Sequence, residues 1–346
     1  MIKLTVSVLS YNRPKELLRC LKSLLPLPEN VNVLIFDDCS PKISEIENSI
    51  NDFIIINNNF KLIKNTINIG YDRNLLRSIM LADGDYVFLL SDDDSLERGA
   101  LSSVISSLKN QPFSVAFVSF LETMKNNPGD QSHGKYRRFW SESQNFLPRS
   151  ISRDGSMVYN AILFSGLVFR RLDVVNSSNK YDAYLDSIYI QVAIFCTLMN
   201  KHGSMYISGP GVVIGGDGEN GFGANSASNG DIELVDRSSI HSNLNFVKRL
   251  FKVVDSLASS LGSEFSRSFY KEFNFRSVSG MRYARHLSRT DLVFYWNNLS
   301  KITKYQSKIY KFIFYLMYLL PTSFISIFIS SVASLVEFYR SKNFFK

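Results

Sequence analysis

The first 120 residues alternate short apolar runs with amphipathic segments, and this alternation restricts the fold more than any other feature. Apolar runs typical of strands lie at 4–10, 31–36, 60–63, 86–90 and 115–120. Segments with helical periodicity lie between them, at 14–25, 43–53, 72–82 and 97–109. Strands that alternate with helices predict an α/β domain, in which a mostly parallel sheet is covered by helices on both faces.

Polar side chains follow three of these strands at the point where each strand ends. They are Ser10, Tyr11, Asn12 and Arg13 after the first, Asp38 after the second, and Asp92, Asp93 and Asp94 after the fourth. In open α/β sheets, ligands bind beyond the carboxyl ends of the strands. The three clusters are therefore expected to form one site.

The run Asp92-Asp93-Asp94 is the strongest chemical signal in this set. Adjacent carboxylates repel one another where a strand leaves the core, and a divalent cation relieves that repulsion. Mg²⁺ and Mn²⁺ prefer carboxylate oxygens and often share substrate phosphates as ligands. The alternatives are a solvated acidic turn, or an N-cap for the helix predicted at 97–109.

The net charge of +8 favours an anionic partner, which could be nucleic acid, an anionic membrane or a phosphorylated substrate. The basic residues concentrate near an apolar tail and not on an aromatic-rich sheet, which argues against nucleic acid. The three cysteines are far apart, so neither a zinc site nor a closed disulfide framework is expected, and a reducing compartment is favoured.

The chain changes character at about residue 236, where helical periodicity replaces the alternating pattern. Residues 312–336 carry no charge and are flanked by lysines and arginines. This length suits a membrane span, but Pro321 and several serines interrupt it. We favour two interfacial helices beside anionic lipids over a span or a buried helix pair. The expected organisation is a domain at 1–235 and a helical region at 236–346, with membrane-associated helices at 309–340.

Five short motifs, in order and at matching spacing, carry a family resemblance. They lie at residues 6–14, 34–40, 68–74, 82–86 and 91–93. Together they resemble family 2 glycosyltransferases, whose fold is the GT-A type of nucleotide-diphospho-sugar transferases. The stretch 68–93 is similar to bacterial transferases of O-antigen and other surface polysaccharides, the abequosyltransferase-like group. The resemblance implies a GT-A domain with a helical C-terminal extension.

The resemblance also implies roles for individual residues. Residues 10–13 and Asp38 would hold the nucleotide, and Arg73 would lie near the diphosphate or the sugar. Asp92 and Asp93 match the metal motif, with Asp93 coordinating Mn²⁺ or Mg²⁺ directly. Many members carry an additional aspartate at the position of Leu90, whereas this chain has Asp94 on the other side. Which of the three carboxylates bind the metal therefore stays open.

The implied reaction moves a sugar from a nucleotide-diphosphate sugar to a lipid-linked oligosaccharide, with inversion, at the cytoplasmic face of the bacterial inner membrane. A carboxylate would act as base. Asp186 is the first candidate because it opens a predicted helix at 182–199; the alternative is that it only caps that helix. Asp182 comes second, followed by Asp217 and Glu219.

Two other functions compete with this one. A sugar-nucleotide pyrophosphorylase would have a glycine-rich first loop, and residues 9–14 contain no glycine. A degenerate membrane-bound scaffold, which binds a nucleotide sugar without turnover, is consistent with Leu90 at the position of the family's aspartate. For two of the site residues the alternative is a purely structural role. Asp38 would then be a turn residue, and Arg73 would be a solvated helix arginine.

Overall fold

A computed structural model describes residues 2–122, 135–137, 140–215, 240–303, 308–322 and 324. In this part of the chain, ten strands form one sheet in the order β3-β2-β1-β4-β9-β6-β10-β5, with β7 on β6 and β8 on β10. The strands are β1 (Leu4–Ser10), β2 (Val31–Asp37), β3 (Phe60–Lys64), β4 (Tyr86–Ser91), β5 (Ser95–Leu96), β6 (Val115–Glu122), β7 (Lys135–Arg137), β8 (Gln144–Phe146), β9 (Leu167–Arg170) and β10 (Ser204–Ile214).

The sheet is parallel where the sequence predicts it to be. β1 pairs in parallel with β2 and β4, and β2 pairs in parallel with β3. β6 and β10 form a second parallel pair, and the short β9 runs antiparallel between β4 and β6. The carboxyl ends of β1, β2 and β4 consequently meet at one edge of the sheet.

The helices connect the strands and then continue as a C-terminal group. They are α1 (Pro14–Ser23), α2 (Ile43–Ile56), α3 (Tyr71–Leu81), α4 (Ala100–Asn110), α5 (Ser150–Arg153), α6 (Arg171–Val175), α7 (Ile190–His202), α8 (Ile240–Leu261), α9 (Ser263–Leu287), α10 (Arg289–Ile302) and α11 (Lys308–Leu319). Pro14 occupies the first turn of α1, where its fixed φ and missing N–H are tolerated.

Side chains of the sheet alternate between two hydrophobic clusters of the described residues. Val8 packs with α1, α2 and α4 on one face, whereas Leu9 packs on the other face with α3, α7 and the C-terminal helices. This alternation follows from the two-residue period of a strand. The C-terminal helices therefore share a core with one face of the sheet.

Two elements differ from what the sequence predicts. The apolar stretch 162–170 predicts a strand, of which only β9 forms. The helix expected at 182–199 begins only at Ile190, because Asp186 and Ile188 have positive φ values of 65° and 62°. A right-handed helix cannot pass through such residues. Asp186 therefore neither opens nor caps α7.

The apolar segment of the C-terminal region is described only in its first part. α11 ends at Leu319, just before Pro321. Among the residues that the structure describes, no helix has both the length and the apolar character that a membrane crossing requires. Apart from Phe324, the second of the two interfacial helices expected within 309–340 lies outside these residues.

Candidate active site

A cavity of about 390 Å³ opens at the carboxyl ends of β1, β2 and β4. The three polar clusters expected from the sequence meet there. The predicted residues that line it are Ser10, Tyr11, Arg13, Asp38, Asp92, Asp93 and Asp94. They converge because each directly follows, or ends, a strand of the parallel part of the sheet.

Arg13 connects the end of β1 to the acidic run after β4. Its Nη1 donates to Asp92 Oδ1 at 2.8 Å and lies 3.2 Å from Asp93 Oδ2. The other oxygen of Asp92 accepts the backbone N–H of Tyr11 at 3.0 Å. Burial raises the pKa of Asp92 to about 7 in spite of Arg13. Asp92 is thus fully engaged in holding the first loop against β4.

Asp94 is held from the opposite side of the acidic run. One of its oxygens accepts the Ser165 hydroxyl at 2.6 Å, and the other accepts the backbone N–H of Gly215 at 3.0 Å. Burial, together with the charge of Asp93, raises the pKa of Asp94 to about 7. Ser165 was not among the predicted site residues. Its only signal was its position in the apolar stretch before Gly166.

Asp38 holds in place the segment 65–70, which lies beside the end of β2. Its carboxylate accepts the backbone N–H groups of Ile69 and Gly70, each at 2.9 Å, and the Asn65 side chain at 2.8 Å. Asn12, by contrast, does not line the cavity. Its backbone N–H donates to Ser40 Oγ, and its side-chain oxygen accepts the backbone N–H of Lys42. Asn12 therefore stabilises the loop from outside the cavity.

Arg73 and Asp186 form an ion pair with each other and do not line the cavity. The pair is bidentate, with N–O distances of 2.5 and 3.0 Å, and both side chains are nearly half exposed. The hydrogen bonds from Arg73 lower the pKa of Asp186.

Asp182, the second base candidate, lies in an exposed 3₁₀ turn (Asp182–Tyr184) outside the cavity lining. Asp217 and Glu219 lie outside the described residues.

The loop that carries Asp186 is held from two sides. Asp72 of α3 is buried, and its carboxylate accepts the backbone N–H groups of Ile188 at 2.8 Å and Ile190 at 3.2 Å. Arg249 of α8 donates to the carbonyl oxygen of Asp186 at 2.5 Å. A positive φ is unusual for a β-branched residue such as Ile188 and persists only where the surroundings enforce it. Asp72 and Arg249 supply that restraint, and sequence reasoning assigned neither of them a role.

Part of the cavity lining is apolar and was also not predicted. It is formed by Ile162, Leu163, Phe164, Ile188, Tyr189 and Phe246, which we call the apolar wall. Gln191 also lines the cavity and is buried. The cavity lining therefore combines charged groups from the strand ends with apolar side chains.

The acidic run has the chemistry of a divalent-cation site that is completed by substrate. Within the described ranges, no three histidine, cysteine or carboxylate side chains are arranged to hold a metal by themselves. However, Mg²⁺ commonly takes only one or two carboxylates together with substrate phosphates and water. The raised pKa values of Asp92 and Asp94 mark a place where additional positive charge would be favourable. The residues present fit such a cation.

A comparison with protein families decides the class of the first half of the chain. The family model described as glycosyl transferase family 2 matches residues 5–167. This part of the chain is a family 2 glycosyltransferase domain. The range covers β1 to the start of β9, and hence the acidic run, Arg13 and Asp38.

A relative supports the same family beyond that range. The chain is 26% identical over 226 residues to the abequosyltransferase RfbV of Salmonella typhimurium. The alignment covers 61% of this chain and 66% of the relative, which is just under two thirds of the relative's length. The predicted resemblance to this group of family 2 enzymes is confirmed.

Solved structures confirm the predicted fold. A mannosyltransferase from Pyrobaculum calidifontis, solved with GDP-Man and Mn²⁺, superposes with a TM-score of 0.50 at 14% identity, covering 97% of this chain and 86% of its own. TarS of S. aureus gives a TM-score of 0.50 at 15% identity, covering 84% of this chain and 45% of its own. The α/β sheet with a helical C-terminal region is thus the GT-A type expected for family 2.

Proposed function

We propose that this protein is a metal-dependent glycosyltransferase that uses a nucleotide-diphosphate sugar as donor. The observation that supports this most strongly is the convergence of Arg13, Asp38 and the acidic run on one cavity within a family 2 domain. A buried arginine, carboxylates and a cavity mouth at the strand ends match the needs of a charged diphosphate and a cation.

The donor would lie across the strand ends from β2 to β9. The nucleotide would contact Ser10, Tyr11 and the loop held by Asp38. Asp93 is the first candidate for a direct ligand of Mn²⁺ or Mg²⁺, with Asp92 and Asp94 beside it. When bound, the cation would stabilise the negative charge that develops on the leaving diphosphate.

Asp186 is our proposed base, with Arg73 as its partner in the free protein. An exposed ion pair contributes only about 0–1 kcal/mol, so Arg73 can leave Asp186 at little cost. A diphosphate is a strong competitor for a guanidinium group, because phosphate oxygens accept bidentate hydrogen bonds. Donor binding would then free Asp186 to accept the proton of the acceptor hydroxyl, which is consistent with single displacement and inversion.

We further propose that the acceptor is a lipid-linked oligosaccharide and that α11 rests on the cytoplasmic face of the bacterial inner membrane. Ile309, Phe312, Tyr315 and Leu319 are each 60–68% exposed on one side of α11, and Lys308 and Lys311 lie beside them. An apolar stripe with flanking lysines is typical of a helix that binds an anionic membrane surface. In this scheme residues 1–235 carry the chemistry and residues 236–346 bring it to the lipid-linked substrate.

Calorimetric titration of UDP, GDP, CDP and dTDP, with and without Mn²⁺, tests donor binding. We expect one nucleotide to bind, and to bind at least about tenfold more tightly with the cation, because a cation held by the acidic run would supply positive charge for the diphosphate. Binding of none of the four by folded protein would contradict the proposal. Manganese-dependent binding without any turnover of donor sugars would instead support the degenerate scaffold.

A further inference from the structure

Helix α8 contacts the candidate active site at two positions that are one turn apart. Phe246 is part of the apolar wall of the cavity. Arg249 follows three residues later and donates from Nη1 to the backbone carbonyl oxygen of Asp186 at 2.5 Å. Residues three apart lie on the same face of a helix, so one face of α8 is turned toward both the cavity and the loop of the proposed base. A helix of the C-terminal group thus helps to build the site.

The loop that Arg249 contacts has a backbone shape that its own sequence does not enforce. Asp186 and Ile188 both have positive φ values, of 65° and 62°, and such a conformation persists only where surrounding contacts hold it. From α3, Asp72 accepts the backbone N–H of Ile188 at 2.8 Å, and Arg73 is paired with the Asp186 carboxylate. From α8, Arg249 holds the backbone of Asp186. The loop is therefore held from the sheet side and from the C-terminal helices.

The contacts of Arg73 and Arg249 with Asp186 have different consequences for a base. Arg73 donates to both carboxylate oxygens, so this contact must open before the carboxylate accepts a proton. Arg249 donates to the backbone carbonyl oxygen and does not occupy the carboxylate. In the proposed reaction Arg73 turns to the donor diphosphate, and Arg249 then still holds residue 186 in place.

Helix α8 is itself fixed on both sides of Arg249. Before Arg249 in the helix, Asn243 Oδ1 accepts the hydroxyl of Tyr295 of α10 at 2.8 Å. After it, Asp255 Oδ1 accepts the hydroxyl of Tyr270 of α9 at 2.6 Å. A side chain on a helix that is held in this way is placed more precisely than one on a loop. The guanidinium group of Arg249 therefore has a defined position from which it orients the loop.

We propose that Arg249 is a positioning residue, which fixes the backbone of Asp186 so that the carboxylate stays aligned with the acceptor hydroxyl after Arg73 has left it. This inference rests on the proposed function. A base must lie within hydrogen-bond reach of the proton that it accepts, and a misplacement of about 1 Å can lower turnover about 100-fold. The residues proposed for donor binding lie at the strand ends, so loss of Arg249 should lower kcat without weakening nucleotide binding.

Kinetics of R249A test this role. The measurement is release of the nucleoside diphosphate from the preferred donor of a UDP-, GDP-, CDP- and dTDP-sugar panel, with lipid-linked acceptors extracted from bacterial membranes. We expect kcat to fall by about 10- to 100-fold, while calorimetric binding of the free nucleoside diphosphate stays within about twofold of wild type. R249K should lose less than R249A, because a lysine can also supply a single N–H donor to a carbonyl oxygen. K248A, at the exposed neighbouring position of α8, is the matched control.

A double-mutant cycle separates the positioning of Asp186 from general support of the fold. Because Arg249 acts through Asp186, R249A should lower the residual kcat of D186N by less than about twofold. An undiminished kcat in R249A, an equal loss in R249K and R249A, or a full further loss in R249A/D186N would overturn the inference. Loss of nucleoside diphosphate binding in R249A would also overturn it, because Arg249 would then support the fold as a whole. Wild-type protein that releases no nucleoside diphosphate from any donor would instead contradict the proposed function.

Discussion

At the scale of single residues, Asp93 is the carboxylate with the most capacity left for a cation. Asp92 and Asp94 each have both oxygens engaged by groups of the protein. Asp93 accepts the Ser91 hydroxyl at 2.5 Å on one oxygen, while its other oxygen lies 3.2 Å from Arg13. A cation held by substrate phosphates can therefore compete for Asp93 more easily than for its neighbours.

We expect D93N to lower Mn²⁺-dependent donor turnover by at least about 100-fold, because the amide cannot replace a charged ligand. The measurement is donor hydrolysis at saturating Mn²⁺, with the fold checked by circular dichroism. D52N, on the exposed side of α2, is the matched control and should retain wild-type turnover. Undiminished metal-dependent activity in D93N would show that another carboxylate holds the cation.

The ion pair between Arg73 and Asp186 leads to a prediction about the pKa of the proposed base. Hydrogen bonds from Arg73 lower the pKa of Asp186, so the carboxylate stays ionised in moderately acidic solution. R73A removes those bonds, so the pKa of Asp186 should rise toward its ordinary value, which an NMR titration of the Asp186 carboxyl measures. R73A should also raise KM for the donor, whereas D186N should mainly lower kcat. An unshifted pKa of Asp186 in R73A would contradict the role of Arg73, and near-normal turnover by D186N would argue for a different base.

The residues whose convergence on the cavity can be expected from the sequence are those that lie directly at strand ends. Apolar runs fix where a strand ends, and parallel pairing then brings Arg13, Asp38 and Asp93 together. Gln191 could not be found in this way, because one glutamine inside an apolar helix gives no periodic signal. Asp72 was hidden for a related reason, since its partners are backbone N–H groups more than 110 residues away.

At the scale of elements, the loop between the 3₁₀ turn and α7 depends on Asp72. Residues 182–199 predict a continuous helix, because the pattern of side chains does not reveal where the backbone is forced to positive φ. The strain at Ile188 is local, whereas the groups that hold it belong to α3 and α8. The start of α7 at Ile190, and not at residue 182, therefore follows from tertiary contacts and not from the local sequence.

Asp72 also makes stability depend on pH. Burial raises its pKa to about 6 despite the two backbone N–H donors, compared with about 3.9 in an unfolded chain. Between pH 4 and 6 the folded protein therefore binds more protons than the unfolded chain does. The free energy of unfolding consequently decreases as the pH rises through this window. The decrease contributed by Asp72 is on the order of 2–3 kcal/mol, and it is complete above about pH 6.

We expect D72N to lack this contribution, so that the unfolding free energy of wild type relative to D72N falls between pH 4 and 6 in urea titrations. The variant should also lose about tenfold in kcat at neutral pH, because the amide cannot accept both N–H bonds and the loop that carries Asp186 loosens. A D72N protein with the wild-type pH dependence and kcat would remove Asp72 from this role. D52N again provides the matched control.

At the scale of the whole molecule, the C-terminal helices both complete the core and present an unusual surface. Phe314 of α11 stacks on Trp296 of α10 with ring centroids 4.7 Å apart, whereas Ile309, Phe312, Tyr315 and Leu319 face outward. The sequence predicted an apolar C-terminal segment at the membrane. The structure adds which side of α11 packs inward.

We expect the double variant F312S/L319S to fold normally and to lose at least about tenfold in binding to vesicles that contain phosphatidylglycerol, because exposed apolar area is removed from the helix. The measurement is co-sedimentation with phosphatidylcholine vesicles, with and without the anionic lipid. Substitution of the exposed Ile55 and Ile56 at the end of α2 by serine is the matched control. Equal vesicle binding by F312S/L319S and wild type would contradict docking through α11.

The central claim is that the cavity at the strand ends turns over a nucleotide-diphosphate sugar with the help of a cation. The most direct measurement is release of the nucleoside diphosphate from a panel of UDP-, GDP-, CDP- and dTDP-sugars, with Mn²⁺ or with excess EDTA, for wild type and D93N. We expect release from donors of one nucleotide, dependence of that release on Mn²⁺, and its loss in D93N. Folded wild-type protein that releases no nucleoside diphosphate from any donor, in the presence of lipid-linked acceptors extracted from bacterial membranes, would contradict it.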